Sequence, residues 1–191
     1  FFDYMGEFGT AYAALLKDGV FYLGTNQGLY QAAWQDLNNQ VVVKPFRLIP
    51  GSEGQVWSLQ TIDGTLYCGH NRGLFTVRGN TFQQVNNEPG VWTILPFQKD
   101  YLLTGNYNGI SIFRRAGNTF SFWKKMELIL GSCNQVMIEK DNLLWVNIPK
   151  YGLIRFSLNE NLSPSERMIF PSTLFKGNAF YLKKEDNGIH L

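Results

Sequence analysis

The sequence has few of the side chains that bind metals or act as nucleophiles. Its 191 residues include only two histidines and two cysteines, and His70 and His190 lie far apart in the chain. A zinc site needs about three or four Cys, His or carboxylate ligands at short spacings, and the pair Cys68 and His70 has no second pair near it. The serine nucleophile motif Gly-x-Ser-x-Gly is also missing. We therefore expect no metal, no cofactor and no catalytic residue.

Two cysteines are too few to indicate a disulfide framework. Cys68 and Cys133 fall at non-equivalent places of the repeats described below, so a disulfide would require neighbouring strands to bring them together. We expect two free, buried thiols. Cysteine usage leaves the redox compartment open.

Charge is sparse and spread along the chain. There are 17 basic and 15 acidic residues, which give a formal net charge of +2, and no dense basic patch. Nucleic-acid binding needs such a concentration of positive charge, so we expect no nucleic-acid contact. No apolar run of about 18 residues would span a membrane, and no long segment has apolar residues at helical spacing.

What the sequence does contain is one short pattern written four times. It reads YLGTNQGLY at 22–30, YCGHNRGLF at 67–75, LTGNYNGIS at 103–111 and WVNIPKYGL at 145–153. Each copy is an apolar run, a polar bend that closes on glycine, and a second apolar run. A period of about forty residues that contains short strands is typical of β-propeller blades. The glycines of the pattern are interpreted as turn formers.

Further strand and turn signals extend each repeat to four strands. Asp18-Gly19 and Asp63-Gly64 predict tight hairpin turns, and Lys99-Asp100 predicts another. The aromatic content of 15% favours strands over helices. In the first repeat we predict a third strand over 29–34 and a fourth over 41–43. The first strand of the third repeat is predicted over 91–94.

These signals predict an all-β fold of β-propeller blades. Four four-stranded blades span about residues 10–50, 51–89, 90–130 and 131–170, and the start of a fifth covers 177–191. Only neighbouring blades can bury both apolar faces of so small a sheet. Because the chain starts without methionine at Phe1 and ends within a strand pattern at Leu191, we interpret residues 1–191 as one partial propeller domain, a fragment of a larger propeller.

The loops between the second and third strands form the candidate ligand-binding site. In a propeller these loops share a face with the connection that enters the next blade. Amides and tyrosines suit sugar hydroxyls and ring faces, and cations suit sulfate or uronate groups. The candidates are His70, Asn71, Arg72, Asn106, Tyr107, Asn108, Lys150 and Tyr151. The alternative is that the asparagines are only good turn formers.

The remaining conspicuous side chains have structural interpretations. Four aspartates occupy equivalent turn positions, so hairpin geometry explains them without a glycosidase-type acid pair: Asp18, Asp63, Asp100 and Asp141. Glu53 and Glu88 precede first strands on the candidate ligand face, where a solvated loop is the favoured interpretation. Trp57 and Trp92 occupy equivalent first-strand positions and are predicted to pack between blades.

The blades resemble the two-component-regulator propeller repeat. That family has a tryptophan-containing first strand, an Asp-Gly turn, a second strand of the form Leu-Trp-Ile-Gly-Thr and a Gly-Leu third strand that ends on an aromatic residue. Residues 20–30 and 66–75 match this pattern, and the resemblance covers about 10–191. The third repeat lacks the tryptophan before Gly105, and Asn147 replaces the glycine in the fourth.

The resemblance implies a periplasmic sensor region of a Bacteroides-type hybrid histidine kinase. Such regions carry two seven-bladed propellers, followed by an immunoglobulin-like domain, a membrane helix and the kinase, and they self-associate as sensor dimers. The implied ligand is a polysaccharide-derived oligosaccharide, and the implied output is transcription of polysaccharide-utilisation genes. On this interpretation the chain senses and does not catalyse. Two alternatives stay open: a propeller scaffold for protein–protein interaction, and a propeller glycosidase or lyase.

Overall fold

The structure is a computed structural model that describes residues 7–39, 45–127, 131–149, 151–175, 182–185 and 188–190. The chain divides into two compact units, which we call unit 1 (Phe1–Ile94) and unit 2 (Leu95–Leu191). Each unit is described by itself.

Four four-stranded antiparallel sheets make up almost all of the described chain, which confirms the predicted all-β blades. In every sheet the strands neighbour each other in chain order, as a blade requires. The strands are β1 Ala11–Lys17, β2 Val20–Thr25, β3 Leu29–Ala33 and β4 Arg47–Leu48; β5 Val56–Ile62, β6 Thr65–His70, β7 Gly73–Arg78 and β8 Thr81–Asn86; β9 Thr93–Phe97, β10 Tyr101–Asn106, β11 Gly109–Ala116 and β12 Thr119–Lys125; β13 Gln135–Lys140, β14 Leu143–Ile148, β15 Gly152–Leu158 and β16 Pro164–Pro171.

A two-stranded antiparallel sheet lies where the start of a fifth blade is predicted. Its strands are β17 (Lys183–Glu185) and β18 (Gly188–His190). The residue before it, Leu182, is buried, and its backbone N–H donates to Gln135 Oε1 at 2.8 Å, while Gln135 Nε2 donates to the Leu182 carbonyl at 2.9 Å. One glutamine amide therefore attaches this segment to the fourth sheet.

The Asp-Gly hairpin turns occur as predicted. Asp18 and Gly19 have φ angles of 50° and 74°, and Asp63 and Gly64 have 47° and 74°. Positive φ at both central residues is the two-residue turn whose twist matches that of the flanking strands. In the third sheet the turn is one residue longer, because β9 ends at Phe97 and Gln98 takes the positive φ of 52°.

The first blade departs from the prediction after its third strand. β3 ends at Ala33, and the short helix α1 (Trp34–Asn39) follows instead of a continued strand. The Trp34 N–H closes the β2–β3 hairpin by donating to the Gly19 carbonyl at 2.8 Å, and Asp36 in the first helical turn favours the helix start. The fourth strand observed is Arg47–Leu48, whereas the predicted strand at 41–43 lies outside the described residues.

The first strand of the third blade begins two residues later than predicted, at Thr93. The backbone N–H of Gly90 donates to the Asn71 carbonyl and that of Val91 to the His70 carbonyl, both at 3.1 Å. The segment that leads into β9 is therefore hydrogen-bonded to the end of β6 and to the residue after it, before the third sheet begins.

Each unit has its own apolar core. In unit 1 the whole of β6 is buried, which requires packing on both faces of the sheet. In unit 2 the side chains of Leu144, Val146 and Ile148 point into a core on one face of β14. Cys68 and Cys133 are buried free thiols, as expected, and burial raises the pKa of Cys133 to about 12.

In three copies of the repeated pattern, the first glycine lies inside a strand and is required by packing. This corrects its interpretation as a turn former. Gly24, Gly69 and Gly105 lie inside second strands. A Cβ at Gly69 would lie within 3 Å of the Val91 carbonyl oxygen, and one at Gly105 within 3 Å of the Cys133 carbonyl oxygen. The backbone entering the next blade thus approaches too closely for any side chain at this position.

Two kinds of feature are missing from the described residues. Among them, no helix combines the length and hydrophobicity needed to cross a membrane. The same residues contain no group of three or more His, Cys, Asp or Glu side chains placed to hold a metal ion.

Candidate functional site

The last residue of each second strand is buried in all four blades. These residues are Thr25, His70, Asn106 and Ile148. The prediction that His70 and Asn106 lie in the ligand-binding loop is therefore corrected, because each ends a strand and only the two following residues form the loop. Position in the blade decides this, since the connection to the next blade covers the strand end.

His70 joins two backbone segments of unit 1 from inside. Its Nδ1 accepts the Arg72 backbone N–H at 3.1 Å, so the proton of the neutral ring lies on Nε2. Nε2 is 3.3 Å from the Ser52 carbonyl oxygen, to which it donates. The ring also meets the edges or faces of Phe75 and Phe82, with centroid distances of 5.4 and 5.7 Å. The side chain positions the loop and does not face solvent.

The electrostatics of His70 keep its ring neutral. Burial, and after it the positive charge of Arg72, lower its pKa to about 4, against smaller opposite effects of the Ser52 carbonyl and Glu53. The carboxylate of Glu53 favours an imidazolium, but its effect is smaller than that of burial. His70 is therefore suited to a structural hydrogen-bonding role at neutral pH.

Thr25 performs the same task in the first blade. Its Oγ1 accepts the backbone N–H groups of Gln27 at 3.0 Å and Gly28 at 3.3 Å. A side chain that accepts from the backbone two residues later stabilises a tight turn. The equivalence of Thr25 and His70 shows that this position caps the loop.

Asn106 has a different set of partners in unit 2. Its Nδ2 donates to Ser111 Oγ at 2.7 Å, and both residues are fully buried. Its backbone carbonyl accepts the Cys133 N–H at 2.8 Å, which holds the connection to the fourth blade. Among the described residues, Asn106 Oδ1 has no hydrogen-bond partner.

The part of the predicted site in unit 1 that lies beyond the strand end consists of Asn71, which is half-buried, and Arg72. Arg72 is exposed, its guanidinium donates to the Gly51 carbonyl, and it lies 5.6 Å from the centre of the Phe75 ring. A guanidinium has five N–H groups, so several remain for an anionic or hydroxyl ligand. The Arg72 carbonyl accepts from Gln84 Nε2 at 3.0 Å, which fixes the loop backbone.

The exposed part in unit 2 consists of Tyr107, Asn108 and Tyr151. Tyr107 is 37% exposed and Tyr151 is 69% exposed, so both phenol rings reach solvent. Gly131, in the connection between the third and fourth sheets, lies against Tyr151. Lys150 falls outside the described residues, so its predicted role stays a prediction.

An aromatic stack that the sequence only partly revealed lies in unit 1. The rings of Trp57 and Trp92, which were predicted to pack between blades, stack on each other with 3.9 Å between centroids. Tyr12, at the matching position of the first blade, extends the stack with a centroid distance of 4.7 Å to Trp57. Because the three rings pack together, the stack joins β1 and β5 to the segment that leads into β9.

Ser52 is a loop-supporting residue that the sequence interpretation missed. It is fully buried, its Oγ donates to the Ile49 carbonyl at 2.7 Å, and it accepts the Leu29 N–H at 3.0 Å. A signal for it existed, because the run Gly51-Ser52 recurs as Gly131-Ser132. The predicted functional loops therefore rest on connections as much as on their own residues.

Comparisons of sequence find no relatives, since no protein-family model matches the chain and no curated protein matches it. Comparisons of structure do. The extracellular domain of the hybrid two-component system BT4673 from B. thetaiotaomicron aligns over 94% of this chain and 28% of its own, with a TM-score of 0.67 at 13% identity. That of BT3049 from the same organism aligns over 93% and 26%, with a TM-score of 0.67 at 16% identity.

A WD40 propeller, that of Doa1, aligns over 93% of this chain and 59% of its own, with a TM-score of 0.61 at 11% identity. The chain spans about a quarter of the length of the two extracellular domains. At sequence identities this low, the structural similarity establishes the fold alone. The resemblance predicted from the repeated pattern is thus confirmed in structure: the chain has the propeller-blade fold found in the extracellular domains of two-component systems.

Proposed function

We propose that the chain is part of an extracytoplasmic sensor region of a two-component system, and that its exposed loops bind a polysaccharide-derived oligosaccharide. The observation that carries this proposal is the match of nearly the whole chain to two extracellular two-component domains. The rest of such a protein would supply the membrane helix, the dimer contacts and the kinase. Its output would be transcription of polysaccharide-utilisation genes.

The chemistry of the exposed loops supports an oligosaccharide as ligand. In unit 1, Arg72 provides an exposed guanidinium and Asn71 a half-buried amide beside it. In unit 2, Tyr107 and Tyr151 provide exposed phenol rings and Asn108 an exposed amide. Arg72 favours a sulfate or uronate group because guanidinium binds such anions through paired hydrogen bonds. We propose that the ligand is recognised and released unchanged.

Calorimetric titration of the chain with an unsaturated chondroitin sulfate disaccharide and with xylotriose tests this function. We expect binding of the disaccharide, weakened about tenfold or more by Arg72→Ala because one charged hydrogen bond is lost. Arg78→Ala is the matched control, since Arg78 is exposed at the other end of β7. Release of new reducing ends by the chain would contradict a sensor without catalysis, and absence of binding by every oligosaccharide would contradict ligand sensing.

A second candidate function is a scaffold for protein–protein interaction. It is favoured by exposed apolar side chains at the end of unit 2, where Ile169 is 59% exposed and Leu174 is 65% exposed. Replacing both by serine, in parallel with Arg72→Ala, separates the two functions. Loss of partner capture with unchanged oligosaccharide binding would favour the scaffold.

A further inference from the structure

A polar groove lies at the other end of the sheets of unit 2 from the loops considered above. It has a volume of about 760 Å³ and is formed where the β9–β10, β13–β14 and β15–β16 turns meet. Ligand pockets for small molecules usually measure about 300–1,000 Å³. These turns follow first and third strands, so they lie opposite the loops that follow second strands.

The walls of the groove are held by internal hydrogen bonds. Asn142 Nδ2 donates to the Leu158 carbonyl at 2.6 Å, and the Leu158 N–H donates to the Asn142 carbonyl at 2.8 Å. Asn159 Oδ1 accepts the backbone N–H groups of Asn161 and Ser163, each at 3.0 Å. Both asparagine side chains are thus used by the chain itself, and the groove is formed before any ligand arrives.

Three other side chains that line the groove are exposed and do not hydrogen-bond to the rest of the described chain. Within the described part of the chain, Gln98, Asp141 and Glu160 make no hydrogen bond or ion pair through their side chains. Gln98 and Asp141 stand at turn positions with φ angles of 52° and 44°. Aspartate tolerates this conformation, whereas glutamine rarely adopts it, so turn formation alone does not explain a glutamine at the groove.

The fourth binding element is the half-buried ring of Tyr101. It lies 5.9 Å from the Trp123 ring, and the Arg114 guanidinium sits 4.3 Å from the centre of Trp123. Lys124, the next cation along β12, donates to the Asn161 carbonyl at 2.6 Å. The residues that line the groove include two carboxylates and no cation.

We propose that this groove binds a short saccharide that has no acidic group. Carboxylates accept hydrogen bonds from neighbouring sugar hydroxyls, the Gln98 amide both donates and accepts, and the Tyr101 ring offers an apolar surface. Asp141 and Glu160 repel sulfate and uronate, so the selectivity is opposite to that of Arg72. The inference rests on the proposed saccharide sensing and assigns it a second site of distinct chemistry.

The test is calorimetric titration of the whole chain with xylotriose, mannotriose and N,N′-diacetylchitobiose, and with the acidic chondroitin disaccharide for comparison. At least one of the three uncharged probes is expected to bind. The Asp141→Asn, Glu160→Gln double variant weakens that binding about 10- to 100-fold, as expected for loss of hydrogen bonds to charged groups. Asp63→Asn is the matched control, because Asp63 has the same turn conformation in the second blade.

Unchanged circular dichroism and melting temperature confirm that the variants fold. If no uncharged probe binds, or if the double variant binds as the native chain does, the groove is not the site. In that case, binding of the acidic chondroitin disaccharide that is weakened by Arg72→Ala would still support the proposed function. If neither acidic nor uncharged saccharides bind, both proposals fail.

Discussion

His70 Nε2 lies 3.3 Å from the carbonyl oxygen of Ser52, which belongs to the connection between the first two blades. The same ring accepts the Arg72 N–H through Nδ1. One buried imidazole thereby links the end of a strand, the exposed loop after it and the connection that precedes its blade. A residue that the sequence placed among ligand-binding side chains is in fact a support for them.

Removal of this link is expected to cost stability. His70→Ala leaves a cavity and two unsatisfied backbone groups, and we expect a loss of about 2–4 kcal/mol in the free energy of unfolding. His70→Asn is expected to lose less, because an asparagine can still accept the Arg72 N–H. Urea denaturation measures both, and equal losses would show that the loop hydrogen bond contributes nothing.

The stability of the chain is expected to fall as the pH drops from about 6.5 to about 4. Burial lowers the pKa of His70 to about 4, so in this range the unfolded chain binds a proton that the folded chain does not. Unfolding is then favoured by up to about 1.4 kcal/mol per pH unit, and the loss levels off below the folded pKa. The midpoints of urea unfolding across this pH range measure the loss of stability.

His70→Gln supplies the comparison for this pH dependence. Because glutamine does not titrate, the variant should lose the slope between pH 5 and 6.5, whatever its absolute stability. A slope that survives in the variant would assign the effect to another group. Carboxylates titrate mainly below this pH range.

Glu139 and Arg155 form a paired interaction across the fourth sheet. Glu139 Oε2 accepts from Arg155 Nε at 2.8 Å and from Trp145 Nε1 at 2.6 Å, and Arg155 Nη2 reaches Oε1 at 3.1 Å. Hydrogen bonding by Arg155 lowers the pKa of Glu139, so this stability is present above the usual carboxyl pKa and is lost as the pH falls below it.

Arg155→Lys is expected to lower the free energy of unfolding by about 1 kcal/mol, because an ammonium cannot make the paired hydrogen bonds. Arg78→Lys, at an exposed position, is the control and should change little. Thermal melts at pH 7 and at pH 3 check this. The difference in melting temperature between the native chain and the variant should be smaller at pH 3 than at pH 7. An equal difference at both pH values would argue against the ion pair.

Gly69→Ala is expected to be severely destabilising, by about 3 kcal/mol or more, because its Cβ would overlap the Val91 carbonyl oxygen and Ser58. Gly79→Ala provides the contrast. Gly79 has a φ of 54°, and a Cβ added there would have nothing within 4 Å, so alanine costs only the backbone conformation, about 1–2 kcal/mol. Equal melting temperatures for the two variants would contradict the close approach inferred at Gly69.

The sequence by itself determined the blade architecture, the places of the hairpins and the burial of both cysteines. Asp18-Gly19 and Asp63-Gly64 specify their turns through the backbone preferences of two adjacent residues. Such preferences, together with alternating apolar residues, act over a few positions and repeat in each blade. For that reason a single chain was enough to recognise them.

Only the tertiary structure decided which side chains of the repeated pattern are displayed. His70 and Asn106 became buried and Arg72 stayed exposed because connections from neighbouring blades cover the ends of the second strands. The same packing explains Gly69, and the meeting of three turns formed the groove that holds Glu160. These outcomes depend on contacts between residues far apart in the chain, which local patterns do not encode.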